Sequence, residues 1–260
     1  MITERKLPAG LITKICNARH AVFFTGAGIS KASGVPTFRD GADGTWNRLN
    51  WRLYATLDGF KNNREEVWKW YELRRLSIHA ASPNDGHLGI ANFEKLLPKV
   101  TVITQNVDDL HERAGSQSVI HLHGSLFSHR CAACAHPHTM NVTSPEGQIV
   151  ASTPQPRCTR CGGWIRPGVV WFGEGLPEAD FANAVAAVND CDLFFSIGTS
   201  LDVHPAANLA FMAAKRPICV VQVNPQETAL NDQATFTLKE KAEKALPAIL
   251  QAISEGSQHV

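Results

Sequence analysis

Five short apolar runs constrain the fold of this chain more than any other feature. Ala21-Val22-Phe23-Phe24-Thr25 runs into Gly26, Val100-Thr101-Val102-Ile103-Thr104 into Gln105-Asn106, and Ser118-Val119-Ile120 into His121. Further on, Leu193-Phe194-Phe195-Ser196-Ile197 runs into Gly198, and the segment 217–223 into Asn224. The runs are continuous rather than alternating, which suits strands covered on both faces of a parallel sheet. Helical patterns lie between them, for example over 181–189 and 205–214. The expected fold class is α/β, an open parallel sheet wrapped by helices.

The residues that end those runs carry the functional signal. In an open α/β sheet, ligands bind in the crevice beyond the carboxyl ends of the strands. Here those ends carry Gly26-Ala27-Gly28-Ile29-Ser30, Gln105-Asn106-Val107-Asp108, His123-Gly124, Gly198-Thr199-Ser200 and Asn224-Pro225, so five strand ends should converge on one site. Gly26-Ala27-Gly28 lets backbone amides approach a phosphate, since neither glycine has a side chain to block it. The same three residues equally suit a plain strand-to-helix turn. The full G-x-G-x-x-G spacing is absent, and no acidic residue follows about 20 positions on to hold a ribose, which argues against an ordinary dehydrogenase.

Two segments interrupt the sheet pattern. Residues 44–82 look helical and carry Trp46, Trp51, Trp68 and Trp70. Residues 127–166 carry Cys131-x₂-Cys134 and Cys158-x₂-Cys161 around an interior rich in Pro, Thr and Ser. Four thiolates complete a tetrahedral zinc and leave no open position, so such a metal holds structure while the chemistry lies elsewhere. Two disulfides or four unrelated thiols are the alternatives. His136 and His138 follow the first pair as competing ligands that four cysteines make unnecessary. Cys16, Cys191 and Cys219 lie outside the pairs, and an odd total of seven favours a reducing compartment. No signal-peptide pattern follows Arg5 and Lys6, and no run approaches the roughly 18 apolar residues of a membrane span, so the cytoplasm is expected. A net charge of +1 over 260 residues gives no case for a nucleic-acid partner.

One ordered set of motifs goes further. Gly26-Ala27-Gly28-Ile29-Ser30, Gly34-Val35-Pro36-Thr37-Phe38-Arg39-Asp40, Thr104-Gln105-Asn106-Val107-Asp108, His121-Leu122-His123-Gly124, the cysteine pairs and Gly198-Thr199-Ser200 together resemble the sirtuins, the NAD-dependent protein lysine deacylases. The resemblance runs from Ala21 to Pro247. It implies a Rossmann-like NAD-binding domain built from 1–43, 83–126 and 167–253, a helical insertion at 44–82, a module at 127–166 holding one zinc ion through Cys131, Cys134, Cys158 and Cys161, and a polar tail at 254–260. It further implies that Gly26, Ala27, Gly28 and Ser30 cradle the dinucleotide phosphates and that Phe38 and Arg39 lie on a loop over NAD. Gln105, Asn106 and Asp108 would line the ribose and nicotinamide pocket. Gly198, Thr199, Ser200 and Asn224 would hold the adenosine end, with Ala242 as a last contact. Val170, Phe172, Gly173 and Glu174 match the strand that pairs with the substrate backbone.

By the same resemblance His123 is the general base. The acyl oxygen attacks the ribose anomeric carbon and displaces nicotinamide. A histidine with an unperturbed pKa of about 6.5 then takes a proton from a ribose hydroxyl, and the acyl group ends on ADP-ribose. His121 is a decoy by its place in the motif. Asp108, in a turn after a strand, equally suits a helix cap.

Trp70-Tyr71-Glu72-Leu73-Arg74-Arg75 places Tyr71 and Arg74 three residues apart, hence on one helix face. A phenol beside a guanidinium can hold a carboxylate. The pair resembles that of class III sirtuins, which remove succinyl and malonyl groups, and Ala55 matches the small residue that makes room for the longer chain. A solvated surface pair is the plainer reading, with Arg75 equally able to face water. The expected partners are acyl-lysine proteins, acted on by a monomer. Mono-ADP-ribosyl transfer on the same site and a non-catalytic zinc-ribbon binding module are the rivals.

Overall fold

The structure, a computed structural model, describes residues 7–36, 51–140, 151 and 154–256. Strands β1 (His20–Thr25), β2 (Lys99–Thr104) and β3 (Val119–His121) are followed by β4 (Gly124–Cys131) and β5 (Ile165–Val169), then β6 (Leu193–Ile197), β7 (Cys219–Val223) and β8 (Phe236–Leu238). Six of them form one sheet in the order β3-β2-β1-β6-β7-β8, and every pair is parallel. This is the doubly wound order of a Rossmann-like fold, which reverses direction between β1 and β6 and opens a crevice there.

The continuous apolar runs are explained by cover on both sides. All six residues of β1 are buried. On one face Phe23 stacks on Phe195 with ring centroids 4.7 Å apart and meets Phe93 at 5.1 Å. Helices α1 (Leu11–Cys16), α5 (Asp85–Phe93) and α9 (Ala242–Gly256) close that core. On the other face Val22, Phe24 and Phe194 pack under α7 (Glu178–Asp190) and α8 (Asn208–Ala214). Each such phenylalanine stabilises the fold by about 1.5–3 kcal/mol through burial. β8 has no counterpart among the expected strands, because three residues make too short a run to stand out; its pairing with β7 extends the sheet. The short helix α6 (Leu110–Ala114) follows β2 and stops at Gly115, whose φ is 108°.

The helical insertion appears as α2 (Trp51–Tyr54), α3 (Leu57–Asn62) and α4 (Arg64–Ala80). Residues 44–50 of that expected segment lie outside the described residues. In α4 the buried positions Val67, Tyr71, Arg75 and Ile78 recur at helical spacing, with Trp68 and Glu72 beside them. This stripe faces the antiparallel pair β4–β5, which belongs to the cysteine-bearing module. Arg75 does not face water: it is 1% exposed and donates to Glu72 at 2.7 and 3.2 Å, with His129 of β4 3.7 Å from the same carboxylate. The strand expected through Val170–Glu174 ends at Val169. Beyond it the Glu174 amide turns back to the Trp171 carbonyl, and Gly173 takes φ 87°.

Candidate active site

The ends of β1, β2, β6 and β7, together with the turn after β3, meet on a cavity of about 900 Å³, at the upper end of the usual size range for ligand pockets. Its floor depends on two glycines. The Gly28 amide donates to the Gly198 carbonyl at 2.8 Å, and a Cβ on Gly28 would stand 2.7 Å from the Gly198 backbone. Gly198 has φ 59°, and a Cβ there would meet the Ile29 amide at 2.6 Å. Two backbones therefore touch where side chains are excluded, at the reversal point of the sheet. That cradle fits a dinucleotide phosphate.

Gly26, Ala27, Gly28, Gln105, Asn106, Gly198, Thr199, Ser200, Asn224 and Ala242 all line this cavity. Gln105 donates to Thr199 Oγ1 at 2.9 Å, and Asn224 donates to the Thr199 carbonyl at 2.9 Å, so the ends of β2, β6 and β7 are tied together. Ser30 and Asp108 do not reach the wall. The Ser30 hydroxyl donates to Asp108 at 3.0 Å and accepts from the Asn106 amide at 3.1 Å, which places both behind Asn106. Asp108 also accepts from the first amide of α6, at 3.3 Å from Leu110, so it caps that helix as well. Burial raises its carboxyl above the usual range, against the Ser30 and Leu110 hydrogen bonds. Phe38 and Arg39 lie outside the described residues.

His121 and His123 receive different surroundings. His121 is bound at both ring nitrogens, to the Asn106 carbonyl at 3.2 Å and to Glu112 at 2.6 Å. Burial works against its protonation, but Glu112 and the Asn106 carbonyl outweigh it and raise the pKa. His123 lines the cavity, and its Nδ1 donates to the Gln105 carbonyl at 2.9 Å. That bond fixes the proton on Nδ1 and leaves Nε2 as an acceptor. Burial lowers the His123 pKa, with the Gln105 bond opposing, so the ring is a neutral base at neutral pH.

The far end of the cavity lies in the insertion. Tyr71 and Arg74 of α4 and Ala55 line it, with Val170, Phe172, Gly173 and Glu174 on the facing segment. Burial pushes the Tyr71 phenol up to about 12, so it remains a donor. Burial lowers the Arg74 pKa, with Tyr71 and Asp108 opposing, yet a guanidinium stays charged at neutral pH. Glu174 is engaged internally: it accepts from Arg166, at 2.9 Å from Nη2, and from the Trp171 amide at 2.8 Å. The Val170 amide donates to the His123 carbonyl and the Phe172 amide to the Ala55 carbonyl, both at 2.9 Å. Trp171, on the same wall, was not singled out by its sequence. Val169-Val170-Trp171-Phe172 is apolar throughout, so no alternation in the sequence marks it, although the fold buries Val169 and Trp171 and exposes Phe172.

In the module, the Sγ atoms of Cys131, Cys134, Cys158 and Cys161 all lie within 4.8 Å of one another. Cys131–Cys161, Cys134–Cys158 and Cys134–Cys161 are 3.5, 3.8 and 3.4 Å apart. A disulfide needs about 2.05 Å, whereas the edge of a tetrahedron with Zn–S of about 2.3 Å is about 3.8 Å. The four cysteines are positioned to bind one zinc ion. His136 and His138 are not part of the cluster.

Comparison with known proteins decides the family. The Sir2 family profile matches residues 26–205. A relative from Methylococcus capsulatus, named NAD-dependent protein deacylase, is 48% identical over 94% of this chain and 96% of its own length. The chain belongs to the Sir2 family. Solved structures superpose on this sirtuin accordingly. A Sir2 homologue–NAD complex gives a TM-score of 0.86 at 39% identity, covering 96% of this chain and 95% of that one. A Sir2 bound to a deacetylated p53 peptide and 3'-O-acetyl-ADP-ribose gives 0.79 at 31% identity, covering 93% and 96%. No helix among the sirtuin's described residues is long and apolar enough to cross a membrane.

Proposed function

We propose that this sirtuin is an NAD-dependent protein lysine deacylase that removes succinyl and malonyl groups as well as acetyl, releasing nicotinamide and O-acyl-ADP-ribose. The relatives that bear the deacylase name support deacylation, and no observation favours mono-ADP-ribosyl transfer over it. The acyl assignment rests on one observation: Tyr71 and Arg74, three residues apart on α4, line the same cavity as His123. A guanidinium and a phenol that remains protonated hold a carboxylate by charge-assisted hydrogen bonds. Ala55 lines the same cavity and carries only a methyl side chain, which suits a longer acyl chain.

NAD supplies the ribosyl centre to which the acyl group is transferred. Gly26, Ala27, Gly28, Gly198, Thr199, Ser200 and Asn224 bind its phosphates and adenosine half, with Ala242 at the edge. Gln105 and Asn106 face the ribose and nicotinamide, while Ser30 and Asp108 hold Asn106 from behind. His123 Nε2 accepts the ribose hydroxyl proton, its orientation fixed by the Gln105 carbonyl. Val170, Phe172 and Gly173 meet the substrate backbone, and Glu174 keeps that segment in place through Arg166. The near-neutral charge supports action without nucleic acid, and the odd number of thiols supports a cytoplasmic setting. The reading includes a monomeric enzyme.

Matched acetyl-lysine and succinyl-lysine peptides, compared with wild type and Arg74→Met, test the acyl assignment. Succinyl turnover should dominate, and the substitution should lower its kcat/KM by at least about ten-fold, the worth of one charged hydrogen bond. Dominant acetyl turnover that Arg74→Met leaves unchanged would overturn it.

A further inference from the structure

We propose that Trp171 sets the preference for acidic acyl groups by orienting the Tyr71 phenol, as a positioning residue that acts through Tyr71. The inference rests on the acidic-acyl reading above. The Trp171 indole N–H donates to the Tyr71 hydroxyl oxygen at 2.8 Å. An indole nitrogen is a donor only, so the phenol must accept there and turn its own proton elsewhere. Both residues line the cavity. A carboxylate can only accept, so the direction of that proton decides whether Tyr71 helps Arg74 hold it. An acetyl group ends in a methyl and gains nothing from the phenol.

The indole is itself held. Its ring lies against the Arg166 guanidinium, 3.4 Å from Cζ to centroid, and 5.2 Å from the Phe60 ring. Arg166 in turn donates to Glu174 and to the Val169 carbonyl, both at 2.9 Å. The Trp171 amide donates to the same Glu174 carboxylate at 2.8 Å. Tyr71 and Arg74 both come from α4, and Trp171 grips the phenol from the segment after β5, so the phenol keeps its direction only while that segment holds its place. At 2% exposure Trp171 has little freedom to swing away.

Replacing Trp171 with benzothienylalanine, whose sulfur stands in for the N–H at nearly unchanged shape, tests this directly. Trp171→Phe is the second variant, and thermal melting reports whether each folds. The succinyl-to-acetyl ratio of kcat/KM should fall by about three- to ten-fold, the worth of one neutral hydrogen bond, through the succinyl KM. In a Tyr71→Phe background the same replacement should cause no further fall. A merely structural role would depress both acyl groups together and would still add in that background. A ratio within about two-fold of wild type overturns the proposal. If Arg74→Met collapses the ratio and the analogue does not, the Trp171 assignment alone fails. If Arg74→Met has no effect, the acidic-acyl reading fails and takes this inference with it.

Discussion

His121 and His123 sit two residues apart, and their hydrogen bonds separate a ring tied at both nitrogens from one with a nitrogen to spare. Glu112 and the Asn106 carbonyl occupy both nitrogens of His121, whereas His123 spends one nitrogen on Gln105 and keeps Nε2 for the cavity. His123→Ala should lower kcat/KM by about 10²–10⁴-fold, the usual worth of a positioned base. In the proposed role the active form is the neutral ring, and burial lowers its pKa. Activity should therefore be level at neutral pH and fall only as acid protonates the ring, with a midpoint below the ordinary 6.5. A pH–rate profile whose acid limb lies above that value would contradict the assignment. Motif position marked this histidine in the sequence. Arg74 and Arg75 were harder to tell apart, because Tyr71/Arg74 and Glu72/Arg75 are both three-residue pairs. Only packing against His129 shows which pair is buried as an ion pair and which lines the cavity.

Elements were legible where burial on both faces left a continuous apolar run, as in β1, β6 and β7. β8 was not, since its three residues gain their cover from β7 rather than from a run of their own. β5 ends at Val169, and in the segment after it Glu174 accepts from Arg166 and from the Trp171 amide, which holds the chain in a turn. The cysteine module was legible through spacing alone, and its packing gives a readout for the metal. Trp68 of α4 clusters with Cys131, Cys158 and Ile165, so the thiolate cage supports the helix that carries Tyr71 and Arg74. Removal of zinc by a strong chelator should lower the melting temperature and shift tryptophan emission to the red as Trp68 meets water. A stripped protein with unchanged melting and emission would argue against a structural metal.

At the scale of the whole molecule, one cavity joins two different chemistries. The end proposed for the dinucleotide is made of strand ends at the sheet reversal, where the Gly28–Gly198 contact leaves room only for backbone. The end proposed for the acyl group is made of α4 and the segment after β5, elements far apart in sequence that meet through the Trp171–Tyr71 bond. The convergence of strand ends at the first could be read from the apolar runs and the residues that close them. The second needed a tertiary contact across the insertion, which no local pattern records. The most direct test is product analysis after incubation with NAD and a succinyl-lysine peptide. Nicotinamide, deacylated peptide and free O-succinyl-ADP-ribose should appear in equal amounts. Nicotinamide release with the peptide still acylated and ADP-ribose bound to protein would contradict the account.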